Sequence, residues 1–364
     1  MGFCMKIMHN NNQIRGNRNR GAVWMAILAA ALYGISAPVS KLLLVDIPPA
    51  LMAALLYLGA GFGMLAVNTV KRVRHKDQLE AGITRKELPY VLGMIVLDII
   101  APIFLMLGLA ITNPTNVSLL NNFEIVTTSL IALFVFKEAV GKRMWLAITL
   151  ITLSSIVLSI DISSFSFSAG SIFVLMACVS WGFENNCTRM LSVKNPLQIV
   201  VIKGFGSGLG ALIIALAYKQ YSSNMKYIIF TLLLGFVAYG LSIYLYIRAQ
   251  RELGAARTSA YYATAPFIGV LISWIIFHED ITGKFMIALV IMLIGAYLAA
   301  SEVHNHLHEH ATLTHEHKHS HQDGHHNHTH VPGSVGEHSH VHTHDGIVHN
   351  HVHTPDMHHN HNHQ

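Results

Sequence analysis

The chain has 364 residues, 52% hydrophobic and only 12% charged, with 24 basic against 19 acidic residues and a formal net charge of +5. That leaves too little polar surface to cover a globule of this size, which excludes a soluble protein and makes the lipid bilayer the solvent and first partner. Apolar sequence runs almost unbroken from about Val23 to Ala300 and then gives way to a histidine-rich tail.

In chain order, the first segment, residues 1–20, is basic and polar, with Lys6, Arg15, Arg18 and Arg20. It has no cleavable-signal pattern, because the apolar stretch behind it is as long as a span and no small-residue cleavage site follows. A helix satisfies its own backbone groups where water is absent, and each crossing needs about 20 residues. Ten such stretches are predicted, near 22–44, 49–70, 88–109, 115–136, 143–160, 168–190, 196–218, 227–247, 256–277 and 283–300. Pro48-Pro49, Asn113-Pro114 and Asn195-Pro196 punctuate them.

Basic residues alternate between the loops. Lys71, Arg72, Arg74, Lys76, Arg85, Lys86, Lys137, Lys142, Arg143, Arg189, Lys194, Arg248, Arg251 and Arg257 fall on the N-terminal side, and only Lys219, Lys226 and Lys284 on the other. The positive-inside rule then predicts a multi-pass protein of the cell membrane with both termini in the cytoplasm.

The chain also repeats itself. Leu32-Tyr33-Gly34, with Lys41 seven residues after the glycine, returns as Ser180-Trp181-Gly182 with Arg189 at the same spacing. Leu92-Gly93 returns as Leu234-Gly235, and the stretch from Asn121 through Phe123-Glu124-Ile125 to Glu138 and Gly141-Lys142 is echoed from Tyr262 through Ala265-Pro266-Phe267 to Glu279 and Gly283-Lys284. Two homologous halves of five helices are implied, 21–161 and 162–301. Because five is odd, they enter the membrane from opposite sides and enclose a site near the midplane. The expected fold is therefore all-α and integral to the membrane, ten helices in two inverted repeats, with residues 302–364 as a disordered cytoplasmic tail.

These motifs resemble the drug/metabolite transporter superfamily, in particular its EamA-like permeases. The second half carries the better match, from Arg248-Ala249-Gln250 through Ala265-Pro266-Phe267 to Glu279, whereas the first has Ile125 where a proline is usual. The resemblance covers residues 21–301. It implies a transporter rather than an enzyme, needing no cofactor, with the first, third, fourth, sixth, eighth and ninth helices lining a cavity.

Ionisable residues inside a membrane cost about 2.5 kcal/mol or more at a helix centre, so each calls for a partner or a purpose. Asp98 and Glu124 fall near mid-bilayer, where two carboxylates facing one another could carry a coupling proton or bind a cation; hydrogen bonding of each to polar neighbours for helix packing is the alternative. Glu184 and Lys203 lie at similar depth on neighbouring helices and make a candidate ion pair. Trp181, Glu184, Asn185 and Thr188 share one helical face, which lipid could not partner. Tyr33, Tyr239, Tyr244 and Tyr262 are candidate cavity walls. Glu138 and Glu279, each just before a Gly-Lys, suit helix-end capping. Gly204, Gly206, Gly208 and Gly210 suit close helix approach.

In the tail, His304, His306, His308 and His310, then His315, His317, His319 and His321, then His338, His340, His342 and His344 alternate with other residues. Neutral imidazole is a good ligand for Zn, Ni, Co or Cu, so the tail is a candidate metal-binding segment. Two functions fit: export of a small organic solute, with the tail as an appendage, or transport of a divalent metal ion that the tail collects. His9, His75 and His278 all lie outside the expected spans, and a path without imidazole favours the organic solute.

Overall fold

The computed structural model describes residues 21–73, 83–136, 141–161, 166–191, 194–253, 258, 261–278 and 280–300, and in the tail 305–310, 313–319, 338–344 and 347–352. Helix α1 (Gly21–Leu43) has a turn at Ile35. It is followed by α2 (Pro49–Val73), a 3-10 turn (Arg85–Glu87), α3 (Leu88–Ile111), α4 (Pro114–Leu120), α5 (Phe123–Phe136) and α6 (Lys142–Ser159). A short antiparallel pair, β1 (Ile160–Asp161) with β2 (Ser166–Phe167), leads into α7 (Ala169–Met190) and α8 (Pro196–Ala217). Then come α9 (Met225–Leu234), a π-helical segment (Gly235–Leu241), α10 (Ser242–Leu253), α11 (Ala265–Phe277) and α12 (Gly283–Ala300).

Seven described segments are long and apolar enough to cross a membrane, and Ala265–Phe277 and Gly283–Ala299 are apolar but shorter. The large apolar side chains left on the outside, among them Trp24 (70% exposed), Phe134 (73%) and Ile213 (69%), are what a lipid-facing surface requires.

Local chemistry sets the helix starts. Pro49, Pro114 and Pro196 open their helices, where a missing N–H costs nothing. Asn195 caps α8, its Oδ1 accepting from the amides of Leu197 at 2.9 Å and Gln198 at 3.3 Å. At the other end of α3, Lys41 Nζ donates to the carbonyls of Leu109 (2.6 Å), Ala110 (3.1 Å) and Thr112 (3.1 Å), satisfying groups the helix leaves open. Lys284 donates likewise to Leu158 and Ile160 at the end of α6.

Small residues let the helices touch. Helix α2 packs along α8 and the π segment, α3 along α7, and α6 along α12. A Cβ on Gly204 would stand 2.4 Å from the Gly61 amide, and one on Gly59 2.1 Å from the Leu232 carbonyl. Lipid offers no hydrophobic drive for helices to associate, so backbone approach of this kind supplies the packing attraction.

The structure departs from the sequence-based expectation in four places. The stretch expected as one helix over 115–136 turns at Asn121-Asn122, between α4 and α5, and a second turn at Ala263-Thr264 precedes α11. The helix expected over 227–247 carries seven residues of π-helix. The tail, expected to be disordered, has antiparallel pairs: β3 (Asn305–His310) with β6 (Ile347–Val352), and β4 (Leu313–His319) with β5 (His338–His344). Alternation of period two is the pattern of a strand, and low hydrophobicity alone does not cancel it. Glu138, Glu279, His304, His321 and residues 1–20 lie outside the described residues.

Two outcomes follow. Gly204→Val should force α2 from α8 and cost about 1–3 kcal/mol, as overpacking does, seen as a lower melting temperature in detergent; an unchanged melt would show that the contact gives way freely. Removing residues 302–364 should leave a monodisperse, membrane-inserted protein, because the tail strands make their main contacts with one another. Loss of insertion on size-exclusion and membrane-fraction analysis would contradict this.

Candidate transport site

Lys203 of α8 is a buried ammonium that meets two carboxylates. Its Nζ lies 3.0 Å from Asp98 Oδ2 on α3 and 2.9 Å from Glu184 Oε1 on α7. Asp98 and Glu184 are both buried, and the Tyr57 hydroxyl of α2 donates to Asp98 Oδ1 at 2.8 Å. Thr188, one turn beyond Glu184 on the same face, donates its hydroxyl to Glu184. Pro102, four residues after Asp98 in α3, also removes the amide that would have bonded the Asp98 carbonyl. The geometry therefore extends the expected Glu184–Lys203 pair to a cluster of three charged groups spanning both halves of the sequence. The Asp98 side chain is partnered by Lys203 and Tyr57, whereas Glu124 takes a different partner.

Glu124 instead stands in the first turn of α5, just past the break at Asn121-Asn122. Asn185 Nδ2 of α7 donates to its Oε1 at 2.5 Å and to Thr128 Oγ1 at 3.2 Å. Thr127 donates to the Glu124 backbone carbonyl (3.1 Å) and to the Cys178 carbonyl (2.8 Å).

A cluster of tyrosines lies beside this break. Tyr33 of α1 has its ring centroid 6.0 Å from Tyr239 and 5.8 Å from Tyr262. Tyr239, in the π segment, is 5.3 Å from Tyr57, and Tyr246 is 4.8 Å from Tyr262. Trp181 is buried on the α7 face that carries Glu184 and Asn185. Tyr244 is placed elsewhere: its hydroxyl accepts from Lys71 and from Arg248 (3.2 Å), so it belongs to a cationic cluster at the helix ends. Cationic side chains over a ring and its hydroxyl explain that placement.

Several buried polar atoms here lack a hydrogen-bond partner within the described chain, including Ser40 Oγ, Thr115 Oγ1, Ser118 Oγ, Asn121 Oδ1, Asn122 Oδ1 and Ser273 Oγ. Buried polar groups cost free energy unless satisfied, so water or a polar solute is needed to complete them. Sequence reasoning missed Tyr57 and the unpaired hydroxyls. Only Tyr57's place on an otherwise apolar helix face was there to be read. Among the described residues, no three His, Cys, Asp or Glu side chains group to hold a metal ion.

The glycines beside the breaks make matching contacts. A Cβ on Gly34 would stand 2.7 Å from the Ala265 carbonyl and 3.0 Å from Ile268 Cβ, and one on Gly182 2.4 Å from Thr127 Oγ1. Helix α1 thus presses on the start of α11 as α7 presses on the start of α5.

The profile of the EamA-like transporter family matches the chain twice, at residues 20–160 and 168–301, and the chain belongs to that family. An uncharacterized transporter of Methanothermobacter thermautotrophicus is 25% identical over 289 residues, covering 75% of this chain and 84% of that protein. A crystal structure at 17% identity aligns with a TM-score of 0.54 over 77% of this chain and 96% of its own, which shows a shared fold. The protein is a multi-pass membrane transporter that sits in the lipid bilayer and handles a small solute.

The three-membered cluster makes unequal predictions for its members. Lys203→Met strands two carboxylates and should cost roughly 3–5 kcal/mol, an upper range where water reaches the site. Glu184→Gln leaves the Lys203–Asp98 pair intact and should cost much less. Neutralising all three with Asp98→Asn, Glu184→Gln and Lys203→Met should restore most of the loss. Thermal melts of detergent-purified protein in which Glu184→Gln is as damaging as Lys203→Met would show that Asp98 does not share the ammonium.

Proposed function

We propose that the chain exports a small organic solute by alternating access, as ten crossings in two inverted halves, 21–161 and 162–301, with both termini in the cytoplasm. The observation that carries this reading is the pair of helix breaks, at Asn121-Asn122 and Ala263-Thr264, which fall at corresponding places in the sequence repeat. Broken helices at the repeat interface are where secondary transporters bind, because the freed backbone groups and half-helix ends can meet a polar solute. The matching contacts of Gly34 and Gly182 support the same pseudo-symmetry.

On this reading Glu124, Asn185, Tyr33, Tyr262 and Trp181 form the solute and coupling site. Glu124 is the proton-accepting or cation-binding group, held by Asn185, and the tyrosines form an amphipathic wall. Asp98, Glu184 and Lys203 form a second charged cluster that ties α3 of the first half to α7 and α8 of the second, so the relative movement of the halves must break or carry it. With all three ionised the cluster holds one surplus negative charge, which a coupling proton would balance.

Transport of Zn, Ni or Co through the cavity is the competing reading. The absence of a three-ligand group among the described residues weighs against it, because these ions favour imidazole and thiolate donors. The tail binds transition metal as a cytoplasmic buffer or sensor.

Cells expressing the chain should excrete at least one small organic solute above the level seen with Glu124→Gln at equal membrane abundance, by untargeted profiling of the medium. In vesicles, Glu124→Gln or Asp98→Asn should abolish uphill movement of that solute while leaving exchange partly intact, since exchange needs no net proton transfer. Identical excretion profiles, joined to altered Zn, Ni or Co accumulation, would replace the organic solute with metal.

A further inference from the structure

Helices α1, α4 and α11 meet where the backbone of α1 is open. Pro38 has no N–H, so the Gly34 carbonyl lacks the amide that an intact helix would offer it four residues on. That carbonyl lies against α11. A Cβ on Gly269 would stand 2.9 Å from the Gly34 carbonyl oxygen and 2.8 Å from Ser118 Oγ of α4. Ser118 is buried, and its hydroxyl has no hydrogen-bond partner among the described residues. Because Gly269 carries no side chain, a freed carbonyl and an unpartnered hydroxyl flank one point.

Contacts at the helix ends fix how the three elements run. Lys41, near the end of α1, reaches the carbonyls of Leu109 and Thr112 just ahead of α4, whereas Gly34 lies close to Ser118 further along, so α1 and α4 are antiparallel. Lys284, at the start of α12, reaches the end of α6 at Leu158 and Ile160, and the Ser168 amide ahead of α7 donates to the Ser159 carbonyl. Gly170 of α7 touches Gly108 near the end of α3, the helix that Lys41 caps. The end of α11, joined to α12 by a short connection, therefore lies on the same side as the end of α1, and α11 too is antiparallel to α4. One turn towards that side from the Ser118–Gly269 contact, Thr115 of α4 and Ser273 of α11 come to one level. One turn the other way stands Asn122. All three are buried, and Thr115 Oγ1, Ser273 Oγ and Asn122 Oδ1 have no hydrogen-bond partner among the described residues.

We propose that this junction binds one alkali-metal cation, Na+ or K+, held at Gly269 by the Gly34 carbonyl and the Ser118 hydroxyl and completed by the oxygens of Ser273, Thr115 and Asn122. The donor set decides the class of ligand. It is made of neutral hard oxygens, without the carboxylates that divalent Ca or Mg requires or the imidazole and thiolate that transition metals favour. Carbonyls freed where a membrane helix is interrupted, joined by hydroxyls, suit a monovalent ion that sheds its water. The junction is too tight for an organic solute, since a single Cβ on Gly269 would already come within 3.0 Å of Ser118 Cβ. Water has only two hydrogens to offer these acceptors, whereas a cation is met by a lone pair from each. The site uses neither Glu124 nor the charged cluster at Lys203, so it stands or falls apart from the identity of the solute.

Full-length protein in detergent is melted in NaCl, in KCl and in N-methylglucamine chloride at one ionic strength, and equilibrium binding of radioactive Na+ and of Rb+, as the stand-in for K+, is counted. The native chain should bind one ion per chain and melt higher in the salt of that ion, because a ligand that binds only the folded state stabilises it. Which salt does so names the ion. Ser118→Ala and Ser273→Ala each remove a hydroxyl that has no protein partner, so both should melt no lower than the native chain in N-methylglucamine, while their ion affinity falls at least tenfold. Ser180→Ala is the control, since that hydroxyl donates to the Met176 carbonyl (3.0 Å) at an exposed position of α7, and it should bind as the native chain does. A native chain that binds neither ion and melts alike in all three salts would overturn the site and leave its oxygens to water. Binding unchanged in both Ser118→Ala and Ser273→Ala would overturn it as well, by placing the ion elsewhere.

Discussion

One ammonium between two carboxylates, inside an apolar helical bundle, constrains what else this protein can be. Lys203 cannot be left alone in a medium that solvates charge poorly, and neither can Asp98 or Glu184. Their meeting at 3.0 and 2.9 Å joins α3, α7 and α8, and the Tyr57 hydroxyl brings in α2. The close glycine contacts of α2 with α8, at Gly61 and Gly204, hold the backbones at the spacing these side chains need. Charge and packing thus fix the same interface from two directions.

The same solvent argument accounts for the irregular backbone. Turns leave carbonyls and amides unpaired, which hydrocarbon does not tolerate, so they must be enclosed by protein or meet water. The turn at Asn121-Asn122 is enclosed by α7, where Cys178 lies 3.6 Å from the Leu120 carbonyl. The π segment presents buried Tyr239 to Tyr33 and Tyr57, and π-helix is found frequently at functional sites. A helix that only crossed the membrane would have no use for either feature.

Much of this was legible in the sequence, for reasons that differ by residue. The bilayer leaves its mark on every apolar position, so the helices stand out, and Asn195-Pro196 announces both a break and a cap. Glu184 and Lys203 could be matched because depth in a helix follows from residue count. Asp98 could not be matched in that way, because three intramembrane acids compete for one lysine and only rotation about each helix axis decides among them. Nothing in Asn121-Asn122 resembles the proline or glycine that usually marks a break. Tyr244 reads like any cavity tyrosine until the helix end and its cations, Lys71 and Arg248, are placed.

The two parts of the chain obey different solvents. In the membrane, polar groups must be satisfied within the protein, so few are present and each is constrained, and unsatisfied ones such as Ser118 and Asn122 mark where something else must enter. The tail sequence is polar, with too few apolar residues for a close-packed core to select one conformation. Register selects there instead: period two places His315, His317 and His319 opposite His342, His340 and His338. A solute site in the first part is defined by what the fold leaves incomplete. Any metal site in the second is defined by what an ion would complete, which is why a family profile ending at residue 301 covers the one and has nothing to say about the other.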